Sequence, residues 1–552
     1  MPTIELSLGR LEKLLGKKCS IEDLELDLQW IGLDLDDVRE DEIKVEYNPN
    51  RPDFSSPEGI ARSLKGYYEM ELGLPKFELK NSGYEFNVDP KVNKVRPFIV
   101  SAIARNVELD EEEVATLMNV QEDLHWAIGR GRKKVAIGVH DLDKVKPPFK
   151  YTAIKPDACK FEPLQMPGIE LSLADILVEH PKGVEYAHIL DGAEVYPIIF
   201  DKNDEVVSFP PIINGTLTMV TDDTKNLLIE MTGTDLKSVN YALNVLCTML
   251  ADMGCDIETC TNIYEDKKLV TPNLEPVSWI VKEEYINSYL GLNLSQEEII
   301  KSLQKVRLDA KPAKTKGELE VLVPAFRGDI YHPVDFTEEV ATGYGYFNLP
   351  TTLPIGGTGK YHELLQKQSI VRKIFIGLGF QEVVNFILTN KFKSFEATRR
   401  ESKEGVVISN PVSKEYDTTR QELLPGLLQN LQDNKHESIP INIFEVGDVI
   451  VLDKKEETGA KRVVHVACVM HDRDTEYTKI RSVLDAFMEM HSIDAFDVIP
   501  IKHPYVIDGR GGGILIGEKK VGLLGEIHPE ILVNFDLDYP VTFLEINLES
   551  LL

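Results

Sequence analysis

The chain has 552 residues, 43% hydrophobic and 28% charged, with a formal charge of −30 at pH 7; that length and composition describe a globular protein of roughly three to five domains. So negative a chain does not wrap nucleic acid unaided, because phosphate binding needs clustered Lys and Arg. No apolar run reaches the roughly 18 residues of a membrane helix, and Met1-Pro2-Thr3-Ile4-Glu5 carries no basic or apolar export signal, so the expected location is the cytosol, away from membranes.

In chain order, residues 1 to about 80 read as a first module. Ser20 followed by Glu22 and Asp23 predicts an N-capped helix, Ile43, Val45 and Tyr47 alternate as a strand, and Arg51-Pro52-Asp53 makes a turn into a second helix. Gly73-Leu74-Pro75 closes the module, and Lys80-Asn81-Ser82-Gly83 reads as a polar linker.

Residues 90 to about 275 are rich in short strands, Gly and Pro, with helices expected near 110 to 128 and 235 to 253. Gly129-Arg130-Gly131-Arg132-Lys133-Lys134 carries four positive charges into the apolar strand from Val135 to Val139, and reads equally as a solvated loop or an RNA contact. Two turns follow, Ser208-Phe209-Pro210-Pro211-Ile212-Ile213-Asn214-Gly215 and Thr232-Gly233-Thr234-Asp235, each flanked by apolar strand. They suit a pocket that needs fixed hydrogen bonds in an apolar wall. Ser208, Asn214 and Thr232 are candidates to fix a substrate there. Asp235 is a candidate to orient a water, or is simply the N-cap of the following helix. No elbow sequence supports a Ser-His-Asp hydrolase.

Residues 276 to about 352 repeat the first module. Leu15-Gly16-x3-Ser20-x-Glu22 recurs as Leu290-Gly291-x3-Ser295-x-Glu297 at an offset of 275, and Arg51-Pro52-Asp53 recurs as Arg327-Gly328-Asp329 at an offset of 276. A register held that well marks a duplication. The expected last helix of this copy, from about Pro333 to Tyr344, sets Asp335, Glu338 and Glu339 on one face. The corresponding stretch of the first copy, opening on Gly59, Ile60 and Ala61, carries no acid at those positions. With Asp329 these acids form a hard-oxygen set suited to Mg²⁺, or a solvated acidic face. Thr351 to Gly359 reads as a hinge, and residues 360 to 552 open with an amphipathic helix from Leu364 to Leu378 and end on the strand from Val541 to Ile546. The six cysteines, without a Cys-x2-Cys pair, read as reduced core thiols.

Taken together, Pro210-Pro211-Ile212-Ile213-Asn214-Gly215 with Thr232-Gly233-Thr234-Asp235, and Arg327-x-Asp329-x5-Asp335-x2-Glu338-Glu339-x5-Gly345-Tyr346, resemble the β subunit of phenylalanyl-tRNA synthetase of archaeal or eukaryotic type, end to end. The resemblance implies an α+β multidomain fold. Its parts are duplicated small helical, winged modules (1–80 and 276–352), a central mixed α/β tRNA-editing domain (90–275), and a degenerate class II synthetase-like antiparallel sheet domain without catalysis (360–552).

It implies an α2β2 tetramer in which the α subunit charges tRNA(Phe) with ATP while this chain hydrolyses mischarged Tyr-tRNA(Phe) in a pocket holding Ser208, Asn214, Thr232 and Asp235. It further implies a Mg²⁺ site, shared with α, at Asp329, Asp335, Glu338 and Glu339. The last region carries Asn410-Pro411-Val412 and Ile443-Phe444-Glu445-Val446-Gly447 like the second class II motif, without its Arg-x-Glu, so ATP belongs to α. Ending at Leu552, the chain also fits the shorter archaeal or eukaryotic type, with less reason to expect anticodon contact from it. The alternative is a non-enzymatic scaffold that positions tRNA around an inert editing pocket. A Mg²⁺-dependent hydrolase acting alone would explain neither the duplication nor the last region.

Overall fold

The computed structural model describes residues 2–353, 356–401 and 405–551, and the chain falls into two compact units, Met1–Thr352 and Leu353–Leu552. The expected hinge straddles that boundary, with Pro354 and Ile355 outside the described residues.

The duplication is architectural. Each copy runs strand, helix, helix, strand, strand, helix: Thr3–Ser7, Leu8–Leu15, Ile21–Trp30, Asp34–Val38, Glu42–Glu46 and Pro57–Tyr67 in the first, and Val277–Lys282, Glu283–Leu290, Gln296–Lys305, Asp309–Pro312, Glu318–Val323 and Asp335–Tyr344 in the second. In both, the third strand lies between the other two in an antiparallel sheet. The repeated Leu-Gly is a helix end: Gly16 and Gly291 have φ of 71° and 66°, a left-handed cap that L side chains resist. Ser20 and Ser295 cap the next helix, accepting from the N–H of Asp23 and Glu298. The last helix of the second copy starts at Asp335 rather than Pro333, because the backbone before it is held as a turn by the Asp335 carboxylate.

The stretch Lys80 to Gly83 is not a linker but the start of the strand Leu79–Val88, which pairs in parallel with Asp256–Ile263. Its partners, Asp256 to Lys80 at 2.8 Å and Thr259 to Ser82 at 2.7 Å, lie far along the chain, so local composition shows only a polar edge. The central sheet runs Ile213–Asn214, Val206–Phe209, Tyr196–Phe200, Phe149–Ile154, Leu79–Val88, Asp256–Ile263, Phe98–Arg105, Asn226–Gly233 and Val135–Asp141, with Lys268–Thr271 paired beside Asp256–Ile263.

One face of this sheet packs Leu227, Ile229 and Met231 against the helices Glu111–Ala127 and Leu236–Asp252. The alternate residues, Ile99, Ile103 and Leu228, pack with Phe86, Phe149 and Tyr151 on the other face. The first and last strands are drawn together, because Asn214 Nδ2 donates to the Val139 carbonyl at 3.4 Å and His140 Nδ1 lies 2.8 Å from Thr218 Oγ1. The sheet therefore curls, and its seam lies beside the Pro210-to-Asn214 turn. Arg62 of the first copy joins this domain to both copies: it pairs with Asp252 at 2.8 Å and lies 4.1 Å over the Phe326 ring.

In the second unit, Gln381–Glu382, Ile441–Leu452, Ala460–His471, Val541–Asn547, Lys519–Ile527, Val506–Ile516 and Asp497–Pro500 form one sheet in that order, antiparallel except at its first pairing. Helices Glu363–Gly377 and Tyr477–Met490 cover one face. On the other, Leu424, Leu427, Leu428 and Leu431 of the helix Leu424–Asp433 pack against Ile443, Val469 and Phe543. Glu445 is buried and paired with Arg420 at 2.7 Å. Of the six free thiols, four are buried, while Cys19 and Cys159 are only partly so.

Candidate functional sites

The four acids of the second copy line one cavity of 270 Å³ between the two copies, with Asn48, Asn50, Arg51, Tyr67 and Lys305. Each is already partnered within the chain, two of them by the same guanidinium. The buried Arg327 guanidinium grips Asp329 through Nε at 2.8 Å and one terminal nitrogen at 2.7 Å, and also donates to Glu339. Asp335 accepts the backbone N–H of Tyr331 and His332 at 2.6 and 2.7 Å, and Glu338 accepts the Tyr346 hydroxyl at 2.9 Å. Burial would raise the Asp329 carboxyl, but the charge and hydrogen bonds of Arg327, with Arg51 behind it, hold it below the usual carboxylate range.

The first copy carries a similar pair, with Arg51 to Asp53 at 2.9 and 2.8 Å. The Arg-x-Asp repeat is thus a bidentate fork in both copies. Among the described residues no group of three or more His, Cys, Asp or Glu is arranged to hold a metal ion. Asp329, Asp335, Glu338 and Glu339 as folded do not fit a four-carboxylate Mg²⁺ cage, because Arg327 already supplies the positive charge between two of them. Sequence spacing shows the acids but not which cation sits among them.

At the seam of the central sheet a cavity of 340 Å³ is lined by Ser208, Pro210, Pro211, Ile212, Ile213 and Asn214 together with residues of the helix Glu111–Ala127. Ser208 Oγ donates to Asn214 Oδ1 at 3.2 Å, so these two candidates are brought together. The other two are placed elsewhere. Thr232 is fully buried, its Oγ1 and carbonyl accepting from Arg96 at 2.9 and 2.7 Å. Asp235 caps the helix Leu236–Asp252 by accepting the Ser238 N–H at 3.1 Å, and lies 3.3 Å from Lys134. Its bond from the Ser238 hydroxyl keeps its carboxyl low. Neither residue lines the cavity.

Two further side chains, Glu230 and His140, were not singled out from the sequence; neither lines the cavity. Glu230 is 2% exposed and His140 fully buried; Glu230 Oε1 lies 3.8 Å from His140 Nε2, and Glu230 Oε2 and His140 Nε2 have no hydrogen-bond partner. Gly138 faces Glu230 across the ladder. A Cβ there would sit 2.4 Å from Glu230 Oε1 and 2.6 Å from His140 Nε2, so the glycine keeps a niche open between them. Buried polar atoms are nearly always paired, so each exception calls for an explanation. The available signal was one charge inside an apolar run, Leu227-Leu228-Ile229-Glu230-Met231.

Beside the cavity, burial lowers His125 to about 4, so its ring is neutral, and Nε2 accepts the Ile137 N–H at 2.8 Å. The His125 hydrogen bond and the Arg132 charge hold Glu122 at about 2. Arg132 turns inward, donating to the Ile212 carbonyl at 2.9 Å and to Glu122 at 2.6 Å, which fixes the proline turn. The basic run is thereby divided: Arg132 is a structural bolt, Lys134 faces Asp235, and Arg130 and Lys133 stay exposed.

A duplicated three-stranded module flanking a curled sheet, and a separate unit built on its own seven-stranded sheet, match domains of aminoacyl-tRNA synthetases. Residues 112–249 match the family described as the B3/4 domain, 280–346 the tRNA synthetase B5 domain, and 349–548 the phenylalanyl tRNA synthetase beta chain CLM domain. The phenylalanine–tRNA ligase beta subunit of Methanosarcina barkeri is 40% identical over 100% of this chain and 99% of its own, and that of Archaeoglobus fulgidus 41% identical over 100% and 98%. A crystal structure of an N-terminal fragment of the Pyrococcus horikoshii phenylalanyl-tRNA synthetase beta subunit superposes with a TM-score of 0.60 at 39% identity, covering 62% of this chain and all of that fragment. The chain belongs to the phenylalanine–tRNA ligase β-subunit family. Among the described residues no helix is long and apolar enough to cross a membrane.

Proposed function

We propose that this chain is the proofreading and architectural half of an α2β2 phenylalanine–tRNA ligase, working in the cytoplasm: α charges tRNA(Phe) with ATP, and the seam cavity of this chain hydrolyses Tyr-tRNA(Phe). The observation that carries the reading is the buried couple of Glu230 and His140 facing Gly138, whose Oε2 and Nε2 lack hydrogen-bond partners, on paired strands that Asn214 joins through the Val139 carbonyl. A pocket for phenylalanine excludes the hydroxylated analogue poorly, whereas a second site built to bond that hydroxyl discriminates strongly, because the smaller side chain leaves its polar groups unpaired. Glu230 is suited to accept from the phenol; a phenylalanyl group would bury that carboxylate unsatisfied. In the hydrolysis, water oxygen bonds to the ester carbonyl carbon, the bond to the terminal ribose oxygen breaks, and the proton passes to that leaving oxygen. Ser208 and Asn214 hold the ester in place.

Mg²⁺ binding at Asp329, Asp335, Glu338 and Glu339 enters this reading only as a site that oxygen ligands from α complete, since the donor set of the chain alone is not a cage. The second unit supports the division of labour: leucines of the helix Leu424–Asp433 fill one face of its sheet, and Arg420 is taken up by Glu445. The test is incubation of the αβ complex with preformed Tyr-tRNA(Phe). Release of tyrosine is expected; a complex that charges phenylalanine but leaves that ester intact is a scaffold with an inert pocket.

A further inference from the structure

The helix Glu111–Ala127 presents Met118, Gln121, Glu122 and His125 to the seam cavity. Met118, Glu122 and Trp126 follow one another at intervals of four, so Trp126 continues this stripe past the lip of the cavity. It is 58% exposed. Beyond it the chain curls back over the helix end, with Gly131 N–H donating to the His125 carbonyl at 2.9 Å and Lys134 N–H to the Gly129 carbonyl at 2.7 Å. Arg130 and Arg132 hold φ of 50° and 64°, in the left-handed region that non-glycine residues rarely adopt. The strained turn separates two arginines: Arg132 is bolted inward, and Arg130 with Lys133 faces solvent, neither in an ion pair among the described residues.

An open indole on the helix that lines the cavity, with two exposed cations on the turn that follows it, on a chain of charge −30, is the pairing that single-stranded nucleic acid requires: a stacking face for bases and local positive charge for phosphates. We propose that Trp126, Arg130 and Lys133 form the platform on which the single-stranded 3′ end of a tRNA stacks while its aminoacyl ester enters the seam cavity. The assignment rests on the editing reading for its purpose and on this surface for its chemistry.

Three measurements on the intact αβ complex separate them. Tyrosine release from Tyr-tRNA(Phe) should show KM raised about tenfold by Trp126→Ala, the equivalent of one lost stacking contact, with kcat unchanged. Arg130→Ala with Lys133→Ala should flatten the dependence of log affinity on log salt by about 1.4, two single-strand phosphate contacts at about 0.7 each. Independently, a short RNA ending in CCA should quench tryptophan fluorescence, and Trp126→Phe should remove the quench. Unchanged KM in Trp126→Ala, or a quench that survives Trp126→Phe, overturns the platform. Quenching by RNA in a wild type that releases no tyrosine sinks the editing reading and leaves the platform standing.

Discussion

Arg327→Gln tests most sharply what the acidic constellation is. The side chain is buried and makes two hydrogen bonds each to Asp329 and Glu339. The substitution leaves two largely buried carboxylates without the guanidinium bonded to both, and only the more distant Arg51 still acting on Asp329. Removing one partner of a buried pair costs about 3–5 kcal/mol. For a cooperative unit the size of Met1–Thr352, that lowers the thermal midpoint by about 5 °C. Arg51→Gln orphans only Asp53, and should cost less.

The pH dependence fixes the sign. In the wild type Asp329 lies below its usual range, so its contribution is present above its unfolded pKa of about 4 and fades as pH falls below that. In the variant the burial effect, which is the largest, is no longer opposed by Arg327; the carboxyl titrates high, and the deficit is widest at neutral pH and narrows toward pH 5. Mg²⁺ should recover part of the loss, because the carboxylates freed by the substitution bind it in the folded state. The assay is differential scanning fluorimetry of the purified chain between pH 5 and 8 with and without MgCl₂. A midpoint within about 1 °C of wild type at pH 7.5 would mean that Arg327 neutralises nothing of consequence.

Gly138→Ala forces a methyl group against Glu230 and His140, and should abolish tyrosine release while destabilising the chain by about 1–3 kcal/mol, read by thermal melts. Asp235→Ala removes a helix cap, costing about 1 kcal/mol, and leaves the rate of tyrosine release unchanged. His125, lowered to about 4 from an unfolded value near 6.5, makes the fold lose about 3 kcal/mol as pH falls through that window, since only the unfolded chain takes up the proton there. His125→Gln should remove that component from the stability-against-pH curve. Calorimetric titration should find Mg²⁺ binding in the αβ complex that the isolated chain lacks, and Glu338→Gln with Glu339→Gln should abolish it; unchanged binding would leave the cluster a charged surface.

The parts of the fold that local chemistry dictates were legible. The helix ends at Gly16 and Gly291 and the caps at Ser20 and Ser295 act over a few residues, so their spacing exposed the duplication. The leading strand and helix of each copy were not read, because the Leu-Gly pair that closes the helix entered only as part of the repeat. Lys80 to Gly83 was misread because its strand partner lies near residue 257. The same limit applies to the sites: the spacing of Asp335, Glu338 and Glu339 is a helical fact, but Arg327 choosing Asp329 and Glu339 is a tertiary one. Ser208 and Asn214 were read from a turn, and the fold brings both to the cavity. Glu230 and His140 were not, because within one strand a lone charge acquires meaning only from the strand beside it.

The most direct measurement is the rate of tyrosine release from Tyr-tRNA(Phe) by the αβ complex carrying Glu230→Gln, with phenylalanine charging followed in the same preparation. The account predicts that release falls by about 10²-fold or more while charging persists, as expected when an oriented polar group is taken from a dry site. Release at the wild-type rate would contradict it.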